Sequence, residues 1–365
     1  MPERPPNPEH ERLPQIESRE ALVNAACERL LAKHAHAHAD LSFHNVEHPK
    51  AVMGRVRKIA DALEVAEESD EFQVALLAAA GHDVIMKSSI DAEGKLTRNV
   101  GGSGAMTTTP ENAGNEFASA QAIINTLREL DPEQTYWDED FANHIVAAVD
   151  ATVPDVKPEP IPEENMRVRQ PRTDALIDLS HYALTQDERP HALAIRRPYL
   201  SHDSDLPAVM LALADLAQIG AEDFETFRQE GNAEFRELQV RFRTEQLPEL
   251  DHLTPNERAE FVDRIFKWWR LQVLLPMQQQ QLFIELFDSN TDLLMRPSEQ
   301  REQLYNLFSK FEANALHAAE FYEKMQEEFG HLTDPNHHDV DSTESFRALL
   351  AYMGYEIPEP AQESM

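Results

Sequence analysis

The 365 residues carry 33 Lys and Arg against 66 Asp and Glu, a formal net charge of −33. A polyanion of this kind repels duplex nucleic acid and anionic membranes, whose recognition takes clustered Lys and Arg, so coating either is excluded. With 41% apolar residues the chain is composed for a globular protein, and its length suits one large domain or two, at about 100–200 residues each.

Gly is scarce, 11 in all, and Ala, Leu, Glu, Gln and Arg dominate, so helix is the expected secondary structure. The single Cys27 rules out an internal disulfide or a thiolate-rich zinc site. Any metal must therefore be held by His and carboxylates. One cysteine, no signal-peptide pattern in MPERPPNPEHERLP and no run of about 18 apolar residues predict a soluble protein of the reducing cytoplasm. The excess negative charge reads as an adaptation for solubility or high salt.

Residues 1–18 are Pro-rich and charged and predict a disordered tail. A helix follows over 20–39. Its His34-Ala-His36-Ala-His38 run places His34 and His38 four apart, a spacing open to a second metal site but read more simply as a solvated face. A second helix over 46–67 is marked by Val52, Val56, Ile59, Ala60 and Leu63 at helical spacing. Pro49 belongs in its first turn, which puts Asn45 to Glu47 at its start and His48 within that turn. A third helix is expected over 70–84.

Residues 87–114 break every periodicity and hold five of the eleven glycines. They predict one long loop, either disordered or a functional lid. Lys87, Lys95 and Arg98 within it are candidates to close over a phosphate, with ordinary surface charge as the simpler reading. Helices over 115–130 and 138–150 come next. A Pro-rich stretch, 153–172, carries Lys157, Arg167, Arg169 and Arg172, which with Arg196 and Arg197 read as partners for acidic groups of the same chain.

The helix over 207–219 is nearly all apolar and stops at Gly220. Beyond it, 222–247, 255–288 and 297–329 predict amphipathic helices of an antiparallel appendage. Trp268, Trp269, Phe261, Phe266, Phe283 and Phe287 would form its core rather than a base-stacking platform. A short apolar stretch, 346–353, precedes the end of the chain. The expected organisation is thus a tail (1–18), a metal-binding helical domain (19–221), a helical extension (222–330) and a short helix with a tail (331–365).

Four segments carry the chemistry when read together: Phe43-His44-Asn45-Val46-Glu47-His48, Gly81-His82-Asp83, Asn115-Glu116-Phe117 and Ala214-Asp215. His44 and His48 are close enough in sequence to face one pocket from a helix start. His82 and Asp83 end a helix that otherwise reads as buried. Asp215 stands among Val209, Met210, Leu211, Leu213, Leu216 and Ile219, where an unpaired carboxylate costs several kcal/mol. A bound cation removes that penalty.

The order His, His-Asp and a distant Asp resembles the HD metal-dependent phosphohydrolase superfamily. The Phe-His-Asn-x-x-His form is closest to the Tyr-His-Asn-x-x-His signature of the class I cyclic-nucleotide phosphodiesterase branch. The resemblance covers about residues 40–220. It implies an all-α, HD-type helical domain in which His48, His82, Asp83 and Asp215 hold a divalent ion, Asp83 bridging to a second ion held mostly by water. It further implies that His44 is the general acid, that Glu116 orients metal-bound water, and that Asn45 packs behind the histidines. Asn45, Lys87 and Arg98 are candidate substrate contacts.

Two imidazoles with two carboxylates suit Zn, Mn, Fe or, more weakly, Mg. After His82-Asp83 those phosphodiesterases continue with another His and Pro-Gly. Here the sequence reads Val84-Ile85-Met86-Lys87, so the implied substrate widens to a small nucleotide or related phosphoester. Two rival expectations remain: an HD-fold di-iron oxygenase drawing extra ligands from His144 or His181, and a catalytically silent nucleotide sensor whose segment 222–365 is an interaction module.

Overall fold

A computed structural model describes residues 16–86, 88–90, 96–98, 114–153, 155–157, 166–169, 176–183, 194–196, 200–216, 218–238, 253–335 and 342–357. Helices carry the fold: α1 (Arg19–Ala37), α2 (Glu47–Ala62), α3 (Asp70–Gly81), α4 (Asn115–Leu130), α5 (Glu139–Asp150), α6 (Leu206–Leu216), α7 (Gln218–Ala221), α8 (Phe224–Leu238), α9 (Pro255–Ser289), α10 (Thr291–Leu294), α11 (Ser298–Leu307), α12 (Phe311–Phe329) and α13 (Ser342–Tyr352). Among the described residues, no helix is long and apolar enough to cross a membrane.

Among the described residues, three two-stranded antiparallel ribbons interrupt the helices. β1 (Ser88–Ile90) pairs with β2 (Leu96–Arg98), β3 (Asp155–Lys157) with β6 (Ala194–Arg196), and β4 (Arg167–Arg169) with β5 (Leu176–Asp178). The first lies inside the segment expected to be one continuous loop. Strands of three residues are shorter than the four to eight over which alternation can be read. Of the basic cluster, Arg167 stands opposite Asp178 and Arg196 opposite Asp155, while Arg172 and Arg197 lie outside the described residues.

The helix starts follow from local chemistry. Side-chain oxygens of Ser18, Ser69 and Asp138 accept the N–H of Ala21, Phe72 and Phe141, and Thr254 with Glu257 forms a capping box ahead of α9, Pro255 leading. The ends depart from expectation. α2 stops at Ala62, five residues early, because Glu64 adopts φ 50° and Val65 N–H bonds back to Ala60. The helix expected over 297–329 is two, α11 and α12. At the break, Lys310 N–H and Nζ donate to the carbonyls of Gly220 and Ala221, and Asn314 Nδ2 to those of Ile219 and Glu222. Capping α7 this way outweighs a continuous helix.

α3 is the central helix. Every residue from Phe72 to Gly81 is buried, and α1, α2, α4, α5 and α6 pack around it. At its C-terminal end a Cβ on Gly81 would lie 2.5 Å from Ile123 Cγ1 and 3.3 Å from Leu30 Cδ1. The glycine thus lets α1 and α4 close on the point where His82 and Asp83 follow. The core does not stop at Ala221: one buried cluster runs from Leu22 to Tyr355. In the extension α9 packs along α12, with Trp269 against Phe321 at 4.4 Å between ring centroids and Phe235 against Phe261 at 5.8 Å. Trp269, Phe261, Phe266 and Phe283 are buried as expected, and Trp268 and Phe287 half-buried.

Candidate metal centre

Three separate segments converge at the open end of α3. His48 lies in the first turn of α2, His82 and Asp83 in the turn that terminates α3, and Asp215 near the end of α6. His48 Nε2 is 3.3 Å from His82 Nε2, 3.4 Å from Asp83 Oδ2 and 3.5 Å from Asp215 Oδ1. His82 Nε2 is 3.1 Å from Asp83 Oδ2 and 3.6 Å from Asp215 Oδ1. These separations compare with about 3.4 Å across a tetrahedron of roughly 2.1 Å metal–ligand bonds, and about 3.0 Å between neighbouring octahedral ligands. Two groups, His48, His82, Asp215 and His44, His48, Asp83, each have the spacing to hold an ion.

The electrostatics ask for positive charge at this point. Burial opposes protonation of His82, but the charge of Asp83 and hydrogen bonds to Asp215 and Asp83 hold its imidazole well above the usual range. Burial likewise opposes protonation of His48, and its bonds to the two carboxylates raise it. Burial works against ionisation of Asp83, yet His82 and His48 keep its carboxyl well below the usual range. One tautomer is set by the backbone: His82 Nδ1–H donates to the Ala79 carbonyl at 3.0 Å, which leaves Nε2 as the ligand atom.

His44 sits beside the quartet, its Nε2 3.8 Å from Asp83 Oδ2. Behind it is a residue no sequence argument singled out. Glu237 of α8, 1% exposed, receives the His44 ring through Nδ1 at 2.8 Å and Oε1, and its Oε2 accepts the backbone N–H of Phe43 at 3.0 Å and of His44 at 2.9 Å. The only signal for it was a carboxylate on a helix whose other buried positions are Phe227, Gly231, Asn232, Ala233 and Phe235. Among 66 acidic residues that signal is faint.

Asn45 builds the loop that carries His44. Its Nδ2 donates to the carbonyls of Leu41 and Ser42, and its Oδ1 accepts the Glu47 N–H. Glu116 is buried in the first turn of α4. One turn on, Ser119 Oγ bonds both backbone groups of Ile85, so this helix start lies against the segment that follows Asp83. Arg55, seven residues after His48 on α2 and 3% exposed, donates Nε to the Ala214 carbonyl at 2.5 Å, beside Asp215, and faces Glu230 of α8 at 3.9 Å. Burial pushes the Glu230 carboxyl up. Lys87 and Lys95 lie outside the described residues, and of Arg98 only the backbone, in β2, is described.

Two expectations about histidines need correction. His34 and His38 are not on a solvated face: they are 0% and 7% exposed, and their Nε2–H groups donate to the carbonyls of His44 at 2.9 Å and Val84 at 3.1 Å. Of the three histidines in that run, His36 is exposed. The turn and the α3 end fold back over α1, covering a stripe that local pattern leaves to solvent. Nor do His144 and His181 reach the cluster. His144 Nδ1 pairs with Asp205 at the start of α6, and exposed His181 lies against the Tyr182 ring.

Fold and site together define a mostly helical protein with a His/Asp cluster, its imidazoles buried and its carboxylates partly exposed, whose spacing could hold a metal ion. Compared with known protein families, curated protein sequences and solved structures, the chain has no significant match.

Proposed function

We propose that the protein is a divalent-metal-dependent phosphohydrolase of the HD type, acting on a small nucleotide or related phosphoester. The observation that carries this reading is the placement of His44: Nδ1 is bound to the buried Glu237, and Nε2 lies 3.8 Å from Asp83 Oδ2 at the edge of the His/Asp cluster. A general acid has to stand beside the ion that activates the nucleophile, with one ring nitrogen anchored and the other directed toward the reacting group. The order of the ligands along the chain supports the same class.

His48, His82, Asp83 and Asp215 would hold the ion, which would supply a water acidic enough to act as nucleophile near neutral pH and a charge to neutralise phosphoryl oxygens. The remaining work belongs to the chain. Glu237 fixes the His44 tautomer, stabilises the charge of its doubly protonated ring and ties that ring to the backbone of its own loop. His44 then delivers the Nε2 proton to the departing alkoxide. His82 is held for ligation by Ala79, and Asp215 by the Arg55 bond to the neighbouring carbonyl. Against a background of −33, a phosphate-bearing ligand depends on the cation for its affinity.

The test is metal analysis of the purified protein, followed by phosphate-ester turnover with Zn, Mn, Fe and Mg for wild type and Asp215→Ala. Stoichiometric metal and turnover in the wild type, both lost in the variant, are expected. Metal that stays stoichiometrically bound after Asp215→Ala defeats the ligand assignment, and a metal-loaded wild type that turns over no phosphoester defeats the reaction.

A further inference from the structure

We propose that His34 and His38 are positioning residues of the metal centre: two buried imidazoles, one in the last turn of α1 and one at its C-cap, hold through Nε2–H the carbonyls of His44 and Val84. The inference rests on the roles given above to His44 and Asp83. Both acceptors are main-chain oxygens, which only accept, so the Nε2 atoms carry the protons and are not available as metal ligands. The segments they hold are irregular: 38–46 links α1 to α2, and 82–86 leaves α3. Neither has a helical ladder at these carbonyls to fix its path.

The consequence is geometric. The Val84 carbonyl lies one peptide beyond Asp83, so displacing it turns the Asp83 Cα–Cβ bond away from His48 and His82. The His44 carbonyl is on the residue whose ring must stay between Glu237 and Asp83. His38 caps the C-terminus of α1, its N–H bonded to the His34 carbonyl at 2.9 Å and its ring edge to face with that of His34 at 4.7 Å, so the distance between the two held carbonyls is tied to the end of α1. Arg55 does the same for the third segment at Ala214. Each chain segment that brings a site residue is thus held at its backbone by a buried N–H donor, as outer-shell partners hold metal sites.

Reach separates positioning from mere filling. The Nε2 of Gln overlays that of His, whereas Asn is one methylene too short and equally polar. With Co(II) as probe, followed by its visible absorption, His38→Gln should bind within about threefold of wild type and His38→Asn about 10- to 100-fold more weakly. For His34 the readout is the low-field proton resonance of the His44 Nδ1–H, identified by its disappearance in Glu237→Gln. It should persist in His34→Gln and shift or vanish in His34→Asn. A His38→Asn variant that binds Co(II) like wild type, or a His38→Gln variant ten times weaker, overturns the proposal. So does an unmoved resonance in His34→Asn. If wild type itself binds no Co(II), the metal reading fails, and the proton resonance, which needs no metal, still decides whether these residues position His44.

Discussion

Glu237 and His44, 193 residues apart in the chain, share a 2.8 Å hydrogen bond at the edge of the His/Asp cluster, and the same carboxylate caps two backbone N–H groups of the His44 loop. The C-terminal extension therefore contributes a residue to the site itself. It is more than an appendage to the segment that supplies the metal-ligand candidates.

Removing the charge of Glu237 should separate acid catalysis from metal binding. Glu237→Gln is expected to keep stoichiometric metal and lower kcat about 10²-fold or more for esters with poor leaving groups, with a smaller loss for nitrophenyl esters whose departure needs no proton. Glu237→Ala should also destabilise the fold by about 1–3 kcal/mol for each buried N–H it leaves unpaired. The checks are metal content, steady-state kinetics on paired substrates and urea unfolding; equal losses on both substrate types would remove His44 as the acid.

Metal binding should release protons. Without the ion, His48 and His82 keep theirs to higher pH than a free imidazole, while Asp83 stays ionised. The sign follows: affinity tightens as pH rises from 6 to 8. Titration calorimetry at pH 7 in buffers of different ionisation enthalpy should show net proton release. In the ion-free protein the His82 contribution to stability is complete below the unfolded pKa near 6.5 and is lost as pH rises through its raised folded value. That of Asp83 is present above about 3.8 and is lost as pH falls through its lowered value. Affinity indifferent to pH would contradict the ligand set.

His34 behaves in the opposite sense. Burial lowers its pKa to about 4 despite the bond to the His44 carbonyl, so the unfolded chain binds a proton more readily over the window from about 6.5 down to 4. Stability therefore falls as pH drops through that window, by up to about 3 kcal/mol. Urea unfolding at pH 7 and 4.5 measures it, and His34→Gln, which has no proton to gain, should show a correspondingly smaller difference.

Gly81→Ala tests the close approach beneath the site. The new methyl meets Ile123 and Leu30, and overpacking of this kind costs about 1–3 kcal/mol. Since His82 and Asp83 follow directly, Co(II) affinity should fall along with the unfolding midpoint. Ile123→Val in the same chain should recover part of both.

Much of the helical framework was legible without coordinates, because apolar residues at helical spacing and capping residues act over one or two turns. His82, Asp83 and Asp215 could be singled out for a related reason, since a polar side chain in an apolar helix has to be explained by a partner; His44 and His48 were marked by their spacing at a helix start and by the resemblance of their motif. The end of α2 and the break between α11 and α12 were not legible. In the first, Glu64 takes a left-handed conformation that glycine usually marks; in the second, Lys310 and Asn314 spend their donors on the end of α7.

The amino-acid sequence alone pointed to the histidines and aspartates whose groups could hold a metal ion, since donor chemistry and helical period are local properties. Only the tertiary structure decided which polar groups stand behind them. Glu237, His34, His38 and Arg55 resemble dozens of surface residues in sequence, and each is buried because a distant stretch of chain closes over it and accepts or donates its hydrogen bond. Burial of a polar group depends on a partner elsewhere in the chain, and no window of one helix contains that partner.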